Sequence, residues 1–574
     1  RDYAPGSAGP PRPQHSGPGR TLPARVQAVR SGRLRQLSPE ARAFASLAAT
    51  VGCAFSVELL QAAGQADADS TVRALDELWH RRIVREDGAA NYDFTHDKLR
   101  EVAYAETSVP HRRQQHRRVA EALESLHQDD LDPYCGQIAT HYERAGLLEQ
   151  ALPYYQRAAA VAQRLYANDE ALGLLARGLN VLKELPEGVN RDQQELRLQL
   201  ALVPLYRMVK GWASTDLGDL LNRIQELCAS VGDDLQRLLA LYSLQSVYSI
   251  QARFDDVFRI TDELTAHCQR TFGIAPPFGQ VMAGGVRGYM GQFVAARAIC
   301  EDMFAADVPA SFLQVQAAQG VNLGALGQAV YAHLLWCLGY PEQALTTMHA
   351  AAKLVQQPPQ PFNQAQMSVF LATLYQLGAD AASAGAAADA LALAERNHAP
   401  YYHAWAMILV GHAEALAQPD AAHITRLRNA VADFYDSNAR LRLPYFRSLL
   451  ADACLHAGRA EEGLAALDEA FAIAVAQHEH WWDAELYRLR GELLQLRGAP
   501  PAEVEAALLR AVAIAREQQA RSFELRATLS LARVWSAMDR AREARERLDA
   551  VYSWFTEGFD APDLQAAKRL LDQL

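Results

Sequence analysis

A few short clusters in this sequence carry side chains that could do chemistry. His478-Glu479-His480 offers two imidazoles and a carboxylate, the ligand types of a zinc site. Its histidines are only two apart, whereas a helix brings ligands together at three or four, so no metal pair is expected there. The most basic stretch is His111-Arg112-Arg113-Gln114-Gln115-His116-Arg117-Arg118, which could contact a phosphate or an acidic partner. Arg113 and Arg117 share a helix face, but Glu121 and Glu124 follow directly, and a solvated face is the plainer reading. Thr95-His96-Asp97 reads by residue type as a helix start, with Thr95 as N-cap and Asp97 near the positive end of the dipole. Tyr401-Tyr402 with Trp405, and Trp481-Trp482, could line a binding groove, although aromatics at helical spacing more often fill a core.

The machinery of catalysis is missing. No GxxxxGK[ST] phosphate loop occurs; the lysines stand at 98, 183, 210, 353 and 568, and none follows a glycine-rich turn. There is no Walker B strand, no cyclase domain, and no Ser-His-Asp or Cys-His arrangement that spacing supports. The seven cysteines are odd in number and form no CxxC pair, so they read as buried thiols in a reducing cytoplasm. The chain is expected to be no enzyme and to hold no metal or cofactor of its own. Its net charge of −11 offers no general basic surface for nucleic acid, and no apolar run is long enough to span a membrane.

The elements that must position these residues are mostly helices. Residues 1–20 are rich in Pro, Gly and Ser and read as a disordered lead-in. The chain begins at Arg1, not Met, which we read as a fragment with sequence missing upstream. Ser38-Pro39-Glu40 supplies an N-cap, a first-turn proline and a first-turn acid. Helices are expected near 39–50, 56–63, 68–82 and from His96. Between the last two, the strands 83–86 and 91–94 flank the turn pair Asp87-Gly88. That order is the winged-helix arrangement, placed at 38–109. Arg73, Arg81 and Arg82 could face DNA there, but Asp67, Asp69, Asp76 and Glu77 offset them.

From 110 to 574 the sequence repeats itself. Ala332, Leu335, Gly339, Ala344, Met348 and Ala351 recur in phase as Ala139, Tyr142, Gly146, Ala151, Tyr155, Ala158 and as Ala451, Cys454, Gly458, Gly463, Leu467, Ala470. Partial copies lie at Gly284, Gly291, Ala296, Cys300 and at Ala532, Trp535, Asp539, Ala544, Leu548. Two antiparallel helices approach closely only where small residues face each other, and large residues three and four apart fill the seam. The expected fold is therefore all-α: a tetratricopeptide-like (TPR) helical-repeat superhelix preceded by a small winged-helix domain. Pro-rich breaks stand near 274–279 and 356–362, while the Ala-rich 379–394 reads as a tightly packed helix. Such a solenoid offers a concave surface to a protein or peptide.

The segment from Leu22 to Glu124 resembles the end of the ATPase module in bacterial STAND proteins, the signal-transduction ATPases with numerous domains. LPARVQAVRSGRLRQLSPEARAFASLAATVGCAFSVELL resembles the helical segment after the nucleotide-binding core, ending near 21–37, and the first winged-helix helices. YDFTHDKLREVAYAETSVPHRRQQHRRVAEALE resembles the passage from the winged helix into repeats. The remainder, including LLWCLGYPEQAL and the final VYSWFTEGFDAPDLQAAKRLLDQL, is similar to the repeat region of a group carrying a class III adenylate or guanylate cyclase or a DNA-binding regulator as output. The resemblance implies a cytoplasmic, non-catalytic sensor and scaffold, joined in cis to an upstream ATPase that uses ATP or ADP with magnesium and assembles in a nucleotide-dependent way. It also implies that His96 sits where family members place a histidine on the phosphates of ADP, with Thr95 replacing the methionine before it. A stand-alone TPR adaptor and a DNA-binding transcriptional regulator are the alternatives.

Overall fold

A computed structural model describes residues 32–52, 54–88, 91–273, 277–305 and 320–574. The lead-in 1–20, most of 21–37, Cys53 and residues 274–276 of the first Pro-rich break lie outside these. The chain divides into two compact units, Arg1–Pro186 and Glu187–Leu574.

The first unit opens with helices Pro39–Val51, Val57–Gly64 and Ala68–His80, a hairpin, and helix Asp97–Ala105. The Ser38 hydroxyl accepts from Ala41 N–H at 3.1 Å, as its N-cap position requires. Glu77 in turn accepts from Ser38 N–H (2.9 Å) and Oγ (2.6 Å), so a residue read as offsetting an arginine also holds a helix start, with the Arg81 charge still acting on it. Strands β1 (Phe55–Ser56), β2 (Val84–Asp87) and β3 (Asn91–Phe94) form an antiparallel sheet in the order β1-β3-β2, with Val84 opposite Phe94 and Phe55 opposite Tyr92. β1 is too short to leave a sequence signal; Phe55 fixes it by packing edge-on against Phe94 at 6.3 Å. Antiparallel helices Val109–Leu126, Cys135–Ala145, Leu148–Arg164 and Asn168–Leu182 follow. Gly146 takes φ +79 and closes the helix before it, its N–H donating to Glu143 O and that of Leu147 to Tyr142 O, both at 2.9 Å.

The second unit is a run of antiparallel helix pairs from Val189–Val209 to Pro562–Gln573, and the fold is all-α, a TPR-like helical repeat. The repeat positions are where the physics requires them: Ala332, Leu335, Ala344, Met348 and Ala351 are buried, as are Ala451, Cys454, Leu467 and Ala470. Asp539 does the work of a turn glycine at φ +59. The Ala-rich stretch forms helix Ser383–Arg396 with Ala387, Ala390 and Ala394 inward. Around 356–362 the chain makes a tight connection, and the helices on either side, Pro341–Lys353 and Pro361–Leu377, pack on each other. The cysteines, Cys53 aside, are buried free thiols.

This unit also bonds to itself one superhelical turn later. Asn438 Nδ2 donates to Ala213 O (3.1 Å), Arg440 N–H to Ile250 O (2.9 Å), Trp481 N–H to Tyr289 O (2.9 Å), and Ser522 Oγ to Trp336 O (2.5 Å). At the end of the array, Glu557 reaches the open start of helix Pro341–Lys353. Its carboxylate accepts from Glu342 N–H (3.0 Å) and Gln343 N–H (3.1 Å), a helix cap supplied from 215 residues away. Gly558 beside it has φ +75, and an added Cβ would lie 2.2 Å from Pro341 Cγ. Gly558→Ala is expected to cost about 2–4 kcal/mol in chemical unfolding. Gly498→Ala is the control, at φ +79 with nothing within 4 Å, and should cost about 1 kcal/mol. Equal losses would remove the turn-to-turn contact as the cause.

Candidate functional site

In the first unit, His96 is exposed at the start of helix Asp97–Ala105, and it rather than Thr95 occupies the N-cap position, with no side-chain cap bond. The Thr95 hydroxyl instead donates to Arg82 O at 2.8 Å, tying the helix start to the far side of the hairpin. Arg73, Arg81 and Arg82 are exposed; Arg73 donates to Ser70 Oγ (2.9 Å) and Arg81 to Gln36 (3.3 Å).

The basic cluster corrects a sequence reading. Arg113 and Arg117 are exposed, Arg117 pairing with Glu121 at 2.8 Å, but Gln115 and His116 are core residues. His116 Nδ1 lies 2.9 Å from His141 Nδ1, and its Nε2 lies 2.9 Å from Tyr104 OH. Burial lowers both imidazoles, with the Arg144 and Arg112 charges adding at His116 and the His116 and Arg144 charges at His141, to about 4 and about 3. Nothing in the spacing of HRRQQHRR distinguishes the buried histidine from its solvated neighbours.

In the second unit, the His-Glu-His triplet splits three ways. His478 ends a helix at φ +56, His480 Nδ1 meets Asp483 Oδ2 at 3.0 Å, and Glu479 turns fully inward. There it accepts from Arg442 N–H (2.9 Å) and Trp481 Nε1–H (2.9 Å). Burial raises its carboxyl to about 7 against those hydrogen bonds. No cluster of three or more metal-ligand side chains exists among the described residues. Trp481 and Trp482 are buried, as are Tyr401, Tyr402 and Trp405.

The candidate site is a groove on the inner helices Pro361–Leu377, Pro400–Ala417, Leu443–His456, Asp483–Arg497, Arg521–Ala537 and Pro562–Gln573, enclosing about 1300 Å³ with open solvent included. Its floor is a ladder of charged pairs drawn from five of these helices, three of its residues coming from Asp483–Arg497. Asp452 meets His412 at 2.8 Å and His456 at 3.6 Å. Arg488 pairs with Glu485 (2.5 Å) and Glu492 (2.7 Å), and Arg526 with Asp563 (2.6 Å) while also donating to Leu377 O. Burial pushes the Asp452 carboxyl up, but the His412 hydrogen bond and the neighbouring cationic groups outweigh it and hold the acid below its ordinary range. Glu492 is likewise held low against burial by Arg488 and Ser530. Acids kept ionised and paired make poor proton donors. This ladder can orient a hydrogen-bonding partner, and exposed Arg533 at its edge adds a positive charge. Sequence reasoning missed the ladder because its rungs at Asp452, Arg488 and Arg526 lie about one repeat apart, while local pairs such as Glu485 with Arg488 look like ordinary solvated helix pairs.

No protein-family model matches the chain. Over 199 residues it is 28% identical to an uncharacterized protein of Rhizobium meliloti (strain 1021), covering 33% of this chain and 19% of that protein. The chain thus spans about a fifth of that relative's length. Among solved structures it is similar to the APC/C hetero-tetramer Cut9–Hcn1, at 13% identity and a TM-score of 0.42, covering 83% of this chain and 86% of that one. It is also similar to the STAND protein with a tetratricopeptide repeat sensor from Pyrococcus horikoshii, at 13% identity and a TM-score of 0.35, over 73% and 66% of the two chains. A Rap protein complexed with competence and sporulation factor matches at 14% identity and a TM-score of 0.32, over 74% and 99%.

Proposed function

We propose that this chain is the non-catalytic sensor and scaffold region of a STAND-type signalling ATPase, and that its groove binds an extended polypeptide segment. The carrying observation is the ion-pair ladder, which draws on five successive inner helices and so matches a ligand running along the array. In this reading residues 38–109 are a winged helix, and His96 at its helix start reports to the phosphates of ADP held by an ATPase domain upstream. The exposed imidazole suits that role, since it is open to a partner domain. The output is a cyclase or a transcriptional regulator, and assembly follows the nucleotide state.

Two measurements test this. Peptides selected from a display library against the whole chain should carry an acidic residue in a fixed register. Arg533→Glu should weaken them at least tenfold, about 1.4 kcal/mol. A selection that yields no peptide sensitive to Arg533 ends the groove assignment. In the full-length parent, His96→Ala should speed ADP release; unchanged release removes the sensor role and leaves a protein-binding adaptor.

A further inference from the structure

A second space in the same unit has a different chemistry from the groove. It lies between helices Val189–Val209, Asp234–Ile250, Pro277–Tyr289, Leu323–Leu338, Pro361–Leu377 and Pro400–Ala417 and the Leu441-Arg442 loop. Its cavity volume is about 70 Å³, within about 800 Å³ of space that includes the gaps between side chains and open solvent. Its wall is apolar and aromatic, with Trp212, Tyr289, Phe370, Tyr402 and Trp405 prominent.

Two guanidinium groups are set into that wall, and no carboxylate lines it among the described residues. Arg442 is only 4% exposed, and its guanidinium carbon stands 4.1 Å from the Trp405 ring centre and 4.9 Å from that of Tyr289. Glu479 holds the main-chain N–H of Arg442 and lies within electrostatic reach of its guanidinium, but does not line the cavity. Arg207, 2% exposed, lies over Trp212 at 4.5 Å, and burial lowers it to about 10, leaving it charged at neutral pH.

Polar atoms are also left over at the wall. Trp405 is completely buried, yet its indole N–H finds no acceptor, and the Gln366 side-chain oxygen finds no donor. The Gln366 amide is fixed by its other end, which donates to Tyr402 OH at 2.6 Å. A buried indole N–H without a partner is destabilising, so an acceptor brought by a ligand would recover the missing hydrogen bond.

We propose that this cavity binds a small organic anion: a single negatively charged head group on an apolar body. The head lies near Arg442 with the Trp405 N–H as a further donor, and the body packs on the aromatic wall. Because Tyr242 and Val281 come from one superhelical turn and Trp405 and Arg442 from the next, an occupant ties the two turns together. The site is independent of what occupies the groove, so either can fail alone.

The test is calorimetric titration of the whole chain with 3-phenylpropionate, decanoate and phenyl phosphate, each against a neutral counterpart (the amides and phenol). At least one anion should bind tenfold or more tightly than its neutral counterpart and raise the melting temperature; which one does so distinguishes a carboxylate from a phosphate head. Arg442→Met should erase that preference. Val330→Phe, which adds bulk at the cavity wall and leaves both arginines in the sequence, should weaken acid and neutral ligand alike by tenfold or more. Trp405→Phe, a milder change, should weaken the anion a few-fold with the fold retained. Equal affinity for charged and neutral ligands, binding unaffected by Val330→Phe, or no binding at 1 mM would each overturn the proposal.

Discussion

Glu479→Ala is expected to destabilise the second unit by about 3 kcal/mol. The carboxylate is fully buried and satisfies the Arg442 main-chain N–H through both oxygens, at 2.9 and 3.1 Å, and the Trp481 indole N–H through one. Alanine leaves two buried donors without acceptors, at about 1–3 kcal/mol each, and opens a void. The damage falls where one superhelical turn meets the next, since Arg442 sits at φ +71 beside Tyr289 and Trp481 N–H bonds Tyr289 O. Urea unfolding of the whole chain, followed by tryptophan fluorescence, checks this; a loss under about 1 kcal/mol would refute it. Glu479→Gln separates the acceptor from the charge. The folded carboxyl titrates at about 7, above the ordinary carboxylate value, so the folded state holds a proton that the unfolded state has lost. Wild-type stability from this group therefore falls as pH rises from about 4.5 through 7. The glutamine variant should gain on wild type by about 2–3 kcal/mol between pH 5 and pH 8. A gap that does not move with pH would show Glu479 to be an ordinary carboxylate.

The first unit should respond to pH in the opposite sense. His116 and His141 titrate at about 4 and about 3 when folded, against an ordinary value of 6.5. Between these values the unfolded chain binds protons that the folded chain refuses, so stability is present above pH 6.5 and drains away as pH falls. At pH 5 the loss is about 2 kcal/mol per histidine, roughly 4 kcal/mol together. Burial is the main cause, and geometry adds to it: charging both rings would set two N–H groups against each other across 2.9 Å. Replacing both with glutamine lowers stability at pH 7 but should flatten the profile between pH 7 and 5 by about 4 kcal/mol. The readout is helix content of the whole chain during urea unfolding at each pH. An unchanged slope in the double variant would place the pH dependence elsewhere.

The sequence by itself determined what is set locally. The seam of a helix pair is made by residues seven before and five after a turn, so Ala332, Gly339 and Ala344 announce it without help from the rest of the chain. The Ser38-Pro39 start and the Asp87-Gly88 hairpin were legible for the same reason, because capping and turn geometry involve only near neighbours. Even so, a local rule misread His96 and Thr95 by one position, since the Arg82 carbonyl, brought close only by the hairpin, drew the Thr95 hydroxyl away.

Tertiary structure alone decided which polar and aromatic residues of the array face inward. The superhelix meets its own next turn after 186 to 225 residues, and no short pattern encodes that distance. Glu479 therefore stood in a triplet whose spacing ruled out a metal pair and gave it no other role, and it is a buried acceptor; His116 looked solvated and is core. Tyr401, Tyr402 and Trp405 were read as core or groove, and they are both buried and the wall of a cavity. A repeat specifies how neighbouring helices pack, whereas the small rotation between repeats, summed over a full turn, fixes which distant side chains meet. That sum placed Arg442 against Trp405 and Tyr289 and assembled the ion-pair ladder from successive inner helices.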